Sequence, residues 1–536
     1  MQDLILTKLA DIGDLKVIAR TSTMQYGSHP QNLTLVGQQL GVAAILEGSV
    51  QKAGNQVLIN VQLIDTKTDS HIWAQSYTRT LTNIFGVEGE VAEKVADALK
   101  AKLTSTEARQ VATVPTQNAQ AYDAYLRGQY YGTRANSSLR AADFTAAIKS
   151  YAKAVALDPR FALAWAQLAD NLSWQIHFNS AFVDVPALAA RAKAAADHAL
   201  SLAPDMAEAR LAQGWYQYSV QHDLTSALAT FDAALTLQPH NSQTLFAIAV
   251  INKRRGHMQA AIAWYQKAVA LDPRNVRSLT ELSMAQGYAR EYAAAASTAR
   301  RALAIDPSSS TAMFFLAGAY RYAGDLDQAE AALNAAPAAV QDSGLFIYSR
   351  EQLMLDRRNY AAARRLLAVM KPASFTSVGA IEIERGDVEW YADDRSLARQ
   401  YYQRAESLIE TALKQNPKTP ELHGDLGWVY ARLGRNKQAL EQGELAIKLG
   451  SMSQDATVGM DALVRMTAIQ AQVGQTEDAI AGLDRLLVLP VGQQISVPLL
   501  KLEPTWDPIR HDPAFQALLK KYANAQPASR ASRAKQ

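Results

Sequence analysis

The chain has 536 residues, 54 basic and 51 acidic side chains, a formal net charge of +3 and no cysteine. This near balance leaves no strongly basic face of the kind a nucleic-acid binder presents, and the missing cysteines exclude disulfides, thiolate catalysis and cysteine-based zinc sites. The hydrophobic fraction of 49% is ample for a packed interior, yet no apolar run approaches the ~18 residues needed to span a bilayer.

The first fourteen residues, MQDLILTKLADIGD, hold Asp3 and Lys8 inside their apolar stretch. That is not the pattern of a signal peptide. Leu4, Ile5, Lys8, Leu9 and Ile12 have the spacing of an amphipathic helix instead. Residues 15–22 predict a short strand and residues 32–42 a short helix ending near Gly41. Two β-runs, 44–52 and 56–65, flank Ala53-Gly54-Asn55, a hairpin signal. Val57, Ile59, Val61 and Leu63 alternate as a half-buried strand requires. A third run, 70–79, sets His71, Trp73 and Tyr77 on one face, where a packed core aromatic is favoured over a ligand contact. A helix over 87–103 has the stripe Val87, Val91, Val95, Ala98, Leu99 and Leu103. Residues 104–118 lose periodicity and are expected to be a linker.

From Ala119 the chain becomes Ala-rich and helical throughout. Prolines 204, 239, 273 and 307 close Ala/Leu-rich segments at steps of 34 or 35 residues, and the phrases AVALDP, AVALDP and ALAIDP recur at 154–159, 268–273 and 302–307. With Ser242 as a first position, Leu245, Ile248 and Ala249 pack the first helix of a pair. Ala261, Tyr265 and Ala268 pack the second, and Pro273 ends it. A second clear copy starts at Pro420, with Leu426, Gly427, Tyr430, Ala439 and Ala446. On these residues, 119–488 resembles a tetratricopeptide array of roughly nine or ten units. Extra residues stand at HFNSAFVDVP, and the units between about 340 and 415 have lost most consensus positions. The resemblance implies a mainly α fold, a right-handed superhelical solenoid, preceded by a small α/β domain.

That first domain also has a counterpart. LKVIARTSTMQY, LGVAAILEGSVQKAGNQVLINVQLIDTKTDSHIWAQSY and IFGVEGEVAEKVADAL resemble the TolB-amino-terminal-like domain of bacterial signalling proteins. ISVPLLKLEPTWDPIRHDPAFQALL resembles the closing segment of the same proteins. The expected organisation is a TolB-like domain over 1–103, truncated at its start, a linker over 104–118 and repeats over 119–488. A closing segment over 489–522 and a disordered tail over 523–536 follow. By resemblance this chain is the C-terminal part of something longer, whose upstream neighbour is a serine/threonine kinase, a nucleotide cyclase or a winged-helix DNA-binding domain. The parent is then anchored in the inner membrane with this region periplasmic, and a cytoplasmic protein is the alternative.

No GxxxxGK[ST] loop, HRD, DFG, GxSxG or HExxH occurs, and the nine histidines are scattered. No enzyme activity, cofactor or metal is therefore expected of this chain. Glu382, Glu384, Asp393 and Asp394 read as surface charge, and the base clusters at 253–255, 300–301 and 357–358 as helix-end charge. In tetratricopeptide arrays the first-helix positions 2, 5, 9 and 12–13 line a concave groove. Projected here they give Glu208, Leu211, Trp215 and Tyr218, then Gln243, Phe246, Val250, Lys253 and Arg254. The next repeats give Arg277, Thr280, Met284 and Tyr288, then Thr311, Phe314, Arg321 and Tyr322. Aromatic anchors beside Arg and Lys suit a peptide-binding surface, and the charges suit an acidic segment or a C-terminal carboxylate. Packing of these rings between repeats is the competing reading. Three functions stay open: a protein–protein interaction scaffold, the sensory part of a membrane-bound kinase or cyclase, and the sensory part of a DNA-binding regulator.

Overall fold

The computed structural model describes residues 2–523 apart from 11, 24–25, 27–31, 55, 81–85, 139, 180–182, 371–377 and 491–494. Asn55 of the expected hairpin turn and almost all of the expected tail, 524–536, lie outside these residues. The chain divides into two compact units, Met1–Ile251 with Trp264–Ser278, and Asn252–Ala263 with Leu279–Gln536.

The first unit contains a three-stranded antiparallel sheet, β1 (Ala44–Ala53), β2 (Gln56–Asp65) and β3 (His71–Thr80), with β2 in the middle. Val57, Ile59, Val61 and Leu63 of β2 are buried, as their alternation dictates. A register shift at Leu63/Ile64 lets both of those residues be buried. The helices Gln2–Ala10 and Val87–Ala98 cover this face with Ile5, Leu9, Val91 and Val95. Tyr77 is buried, Trp73 packs against the core and His71 is exposed.

Two expectations fail here for physical reasons. Residues 15–22 form no strand. Ala19 N donates to Leu271 O at 3.0 Å, Ser22 Oγ bonds Asp272, and a short helical turn spans Arg20–Thr23. The segment finds its partners on a repeat helix rather than a sheet. Residues 104–118 contain the helix Ser105–Ala112, whose Val111 is fully buried in the first domain's core. Thr104 and Glu107 cap it reciprocally: Glu107 N donates to Thr104 Oγ1 at 3.2 Å and Thr104 N to Glu107 Oε2 at 2.6 Å.

The rest of the described chain is helix pairs, ten of them up to Val488. First helices begin at Ser242, Val276, Ser310 and Gly344, each 34 residues after the last. The degenerate unit at 344 is therefore in phase. Its signal was weak because the closing proline expected at 341 is Gln341. Ala261, Tyr265 and Ala268 are buried, as the packing positions require.

In the second unit the last helices, Val497–Leu502 and Pro513–Ala523, and the 3₁₀ turn Pro504–Ile509 join the core through Leu500, Trp506, Ile509 and Phe515. Arg290 donates to the carbonyls of Leu486, Leu489 and Ile495 at 2.8, 2.8 and 3.2 Å. Ser496 Oγ donates to Tyr322 O at 2.7 Å. Gly324 (φ +83°) ends the Ser310–Ala323 helix, and a Cβ there would stand 2.6 Å from Pro498 Cβ. The closing segment is thus built against the helices that begin this unit.

Candidate functional site

In the first unit the projected residues Trp215, Tyr218, Phe246 and Arg277 come together, but inside an aromatic cluster. Trp215, Tyr218 and Phe246 are buried. Trp215 lies 4.5 Å from Trp174 and 4.9 Å from Phe231 between ring centroids, and Phe246 lies 5.6 Å from Tyr265. Tyr218 sits on a π-helical turn, Gln217–Gln221, that sets its ring 5.1 Å from His177. The Arg277 guanidinium lies between rings, 4.4 Å from Trp174 and 5.1 Å from Phe246, and donates to Asn136 Oδ1 at 3.1 Å. Burial pushes the Asp170 carboxyl up to about 7, against the opposing pull of Arg277 and the Trp174 indole. Trp174, Asp170 and Phe178, whose ring lies 5.3 Å from that of Trp174, were not among the expected residues. Counting the same stripe from Ala162 would have placed Asp170 at position 9 and Trp174 at position 13.

The second unit receives the other projected residues. Lys253 is buried and pairs with Glu281 at 2.6 Å. Burial lowers its pKa and Glu281 opposes that. Arg254 donates to Asp455 at 3.1 Å and to Thr457 Oγ1 at 2.9 Å. These two bases do not serve only as helix-end charge; each has a carboxylate from another helix. Met284 and Tyr288 are half-buried.

Phe314, Arg321 and Tyr322, all projected, line one cavity of about 220 Å³ together with Tyr348, Gln352 and Glu503. Phe314 and Tyr348 are near-parallel with centroids 6.4 Å apart. Burial raises the Tyr322 hydroxyl to about 12. Arg321 is doubly engaged: Asp356 accepts from its Nε and Nη2, and Glu503 Oε1 accepts from Nη2 at 2.8 Å. Glu503 is held from its other side by Trp506 Nε1 at 3.1 Å.

Behind the cavity edge stand two carboxyls. Gln352 Nε2 donates to Glu351 Oε2 at 3.0 Å and lies 3.4 Å from Glu384 Oε2. Glu351 is fully buried, and its Oε1 has no hydrogen-bond partner. Burial first, and then Glu384, hold its carboxyl well above the usual range. Glu384 is raised to about 8 by burial and by Asp387 and Asp425. Its reading as plain surface charge is corrected by this setting. Tyr348, Gln352 and Glu384 fall at positions 5, 9 and 5 of helices beginning at Gly344 and Ala380, a register that the weak consensus there concealed.

Among the described residues no group of three or more metal-ligating side chains stands together, and no helix is long and apolar enough to cross a membrane. Tetratricopeptide repeat models match residues 218–276, 288–346 and 384–452. A putative adenylate cyclase 3 of Rhizobium meliloti (strain 1021) is 35% identical over 164 residues, 31% of this chain. This chain spans only 27% of that relative's length. Among solved structures, pilF of Pseudomonas aeruginosa is 19% identical, with a TM-score of 0.32 over 38% of this chain and 91% of its own. YrrB, described as a tetratricopeptide protein with an unusual peptide-binding site, is 20% identical, with a TM-score of 0.28 over 38% and 97%. A tetratricopeptide repeat protein of Parabacteroides merdae is 18% identical, with a TM-score of 0.36 over 48% and 98%. Over the matched stretches the helix pairs of this chain are tetratricopeptide repeats.

Proposed function

We propose that this chain is a non-catalytic protein–protein interaction scaffold that seats a peptide or protein segment on the shared face of its first helices in the second unit. The cavity bounded by Phe314, Arg321, Tyr322, Tyr348 and Gln352 carries the reading. It offers aromatic walls, polar tips and room for one side chain, the make-up of an anchor pocket. Panning a phage-displayed decapeptide library against the full chain tests it. Enriched peptides should bind in solution, Phe314→Ala should weaken them at least about tenfold, and Val369→Ala, on an exposed side chain elsewhere, should leave them unchanged. Failure to enrich any peptide, or indifference to Phe314→Ala, would overturn it.

A second reading rests on the cyclase relative. In it this chain is the regulatory part of a larger signalling protein with a TolB-like first domain, and the scaffold transmits occupancy to an effector. The purified chain should then form no cyclic AMP from ATP. Formation that survives purification and vanishes on heating would assign catalysis to the chain and refute both readings.

A further inference from the structure

We propose, resting on the scaffold reading, that the cavity beside Phe314 and Tyr348 takes a positively charged side chain, so that the bound segment is basic rather than acidic.

Arg321 alone suggests the opposite, but its charge is already answered. Asp356 and Glu503 both accept from it, and burial raises the Glu503 carboxyl while Arg321 opposes that. Glu503 is fixed by Arg321 on one oxygen and Trp506 on the other, so it is not free to leave for an incoming carboxylate. An acidic ligand would therefore compete with two carboxyl groups that already hold the Arg321 guanidinium.

Two features point to a cation. The rings of Phe314, Tyr322 and Tyr348 are part of the cavity lining, and Arg321 already stands 6.0 Å from the Tyr322 ring centre, an arrangement in which aromatic rings hold positive charge. At the cavity edge a neutral amide N–H, that of Gln352, stands where two carboxyls converge. That is a place where an ammonium or guanidinium does better than an amide. Glu351 itself is fully buried and reaches the cavity only through the Gln352 amide that it holds.

The groups around these carboxyls come from each helix packed against them: Tyr348 and Gln352 from Gly344–Asp356, Arg321 and Tyr322 from Ser310–Ala323, Asp387 from Ala380–Tyr391, Asp425 from Pro420–Arg432, and Arg465 from Ala456–Gln472. Arg465 is itself committed to Asp425 at 2.9 Å. With Glu384 raised to about 8, the free site holds protons near neutrality. An arriving cation favours the ionised carboxylates, so binding expels those protons and tightens as pH rises.

Fluorescence anisotropy on the full chain decides this with two labelled decapeptides, one of alternating Lys and Ala and one of alternating Glu and Ala. The lysine peptide should bind at least about tenfold more tightly, as expected for a favoured over a repelled charge. Its affinity should rise at least about threefold from pH 6 to pH 8.5, where lysine stays protonated. Glu384→Gln should remove that rise, Glu351→Gln should act in the same direction, and Phe314→Ala should weaken binding. A tighter glutamate peptide that depends on Phe314 would sink the charge preference while leaving the scaffold reading standing. Lysine-peptide binding indifferent to Glu384→Gln and Phe314→Ala would be surface adsorption and equally fatal to it. If neither decapeptide binds the inference falls, and if panning also fails the scaffold reading falls with it.

Discussion

Arg277 and Arg321 stand at positions 2 and 12 of the helices Val276–Tyr288 and Ser310–Ala323 and meet different surroundings. Arg321 faces Asp356 and Glu503, whereas Arg277 faces the rings of Trp174 and Phe246. Beside the rings, Asp170 is raised to about 7 by burial. Its folded pKa lies above the ordinary carboxyl range of about 4, so the folded state holds the proton longer than the unfolded one. The stabilisation is full below about pH 4 and is lost as pH rises toward 7. Asp170→Asn keeps an acceptor for the Trp174 indole and cannot ionise. It should raise the melting temperature by about 2 °C or more at pH 8 and much less at pH 5. Calorimetry at both pH values checks this, and an equal shift at both would deny Asp170 its protonated form. The rings and charges themselves were readable as residue types. Their partners were not, because a stripe names a face and not what packs onto it.

At the scale of elements, the 34-residue spacing does most of the specification. It fixes where the first helices at Ser242, Val276, Ser310 and Gly344 begin, and small residues such as Ala261 and Ala268 let the two helices of a pair approach. Ala261 is fully buried, so a larger side chain has no space to enter. Ala261→Leu should cost about 1–3 kcal/mol through overpacking, read as a lower urea midpoint with an unchanged slope. No loss of stability would mean that this approach is looser than the buried area implies. The capping box at Thr104 and Glu107 was legible as a T-x-x-E signature, yet the absence of an apolar stripe hid the helix it starts. Residues 15–22 looked like a strand, and Val17, Ile18 and Thr21 are β-branched. Propensity lost to tertiary contact when Leu271 and Asp272 supplied the partners.

On the scale of the whole chain, each unit uses its own flanking segments to complete its repeats. In the first, the segment around Ala19 and Ser22 bonds the end of the Met258–Leu271 helix, and Arg274 lies 5.5 Å from the Tyr26 ring. Lys8 of the first helix acts on the Glu208 carboxyl, which burial has raised. In the second, the closing segment buries Trp506, Ile509 and Phe515 and brings Glu503 to Arg321. Repeat arrays propagate through neighbour contacts, so the sequence by itself determined the helix pairs, their 34-residue period and the hairpin-bearing first domain. Those follow from local periodicity, turn chemistry and small-residue packing, which are written within a few tens of residues. Which first-helix residues line a cavity, and which partners their charged groups meet, was decided only by tertiary structure. Asp356 and Glu503 reach Arg321 across 35 and 182 residues of chain. Asp455 reaches Arg254 across 201, and pairing at that distance leaves no trace in a repeat's own pattern.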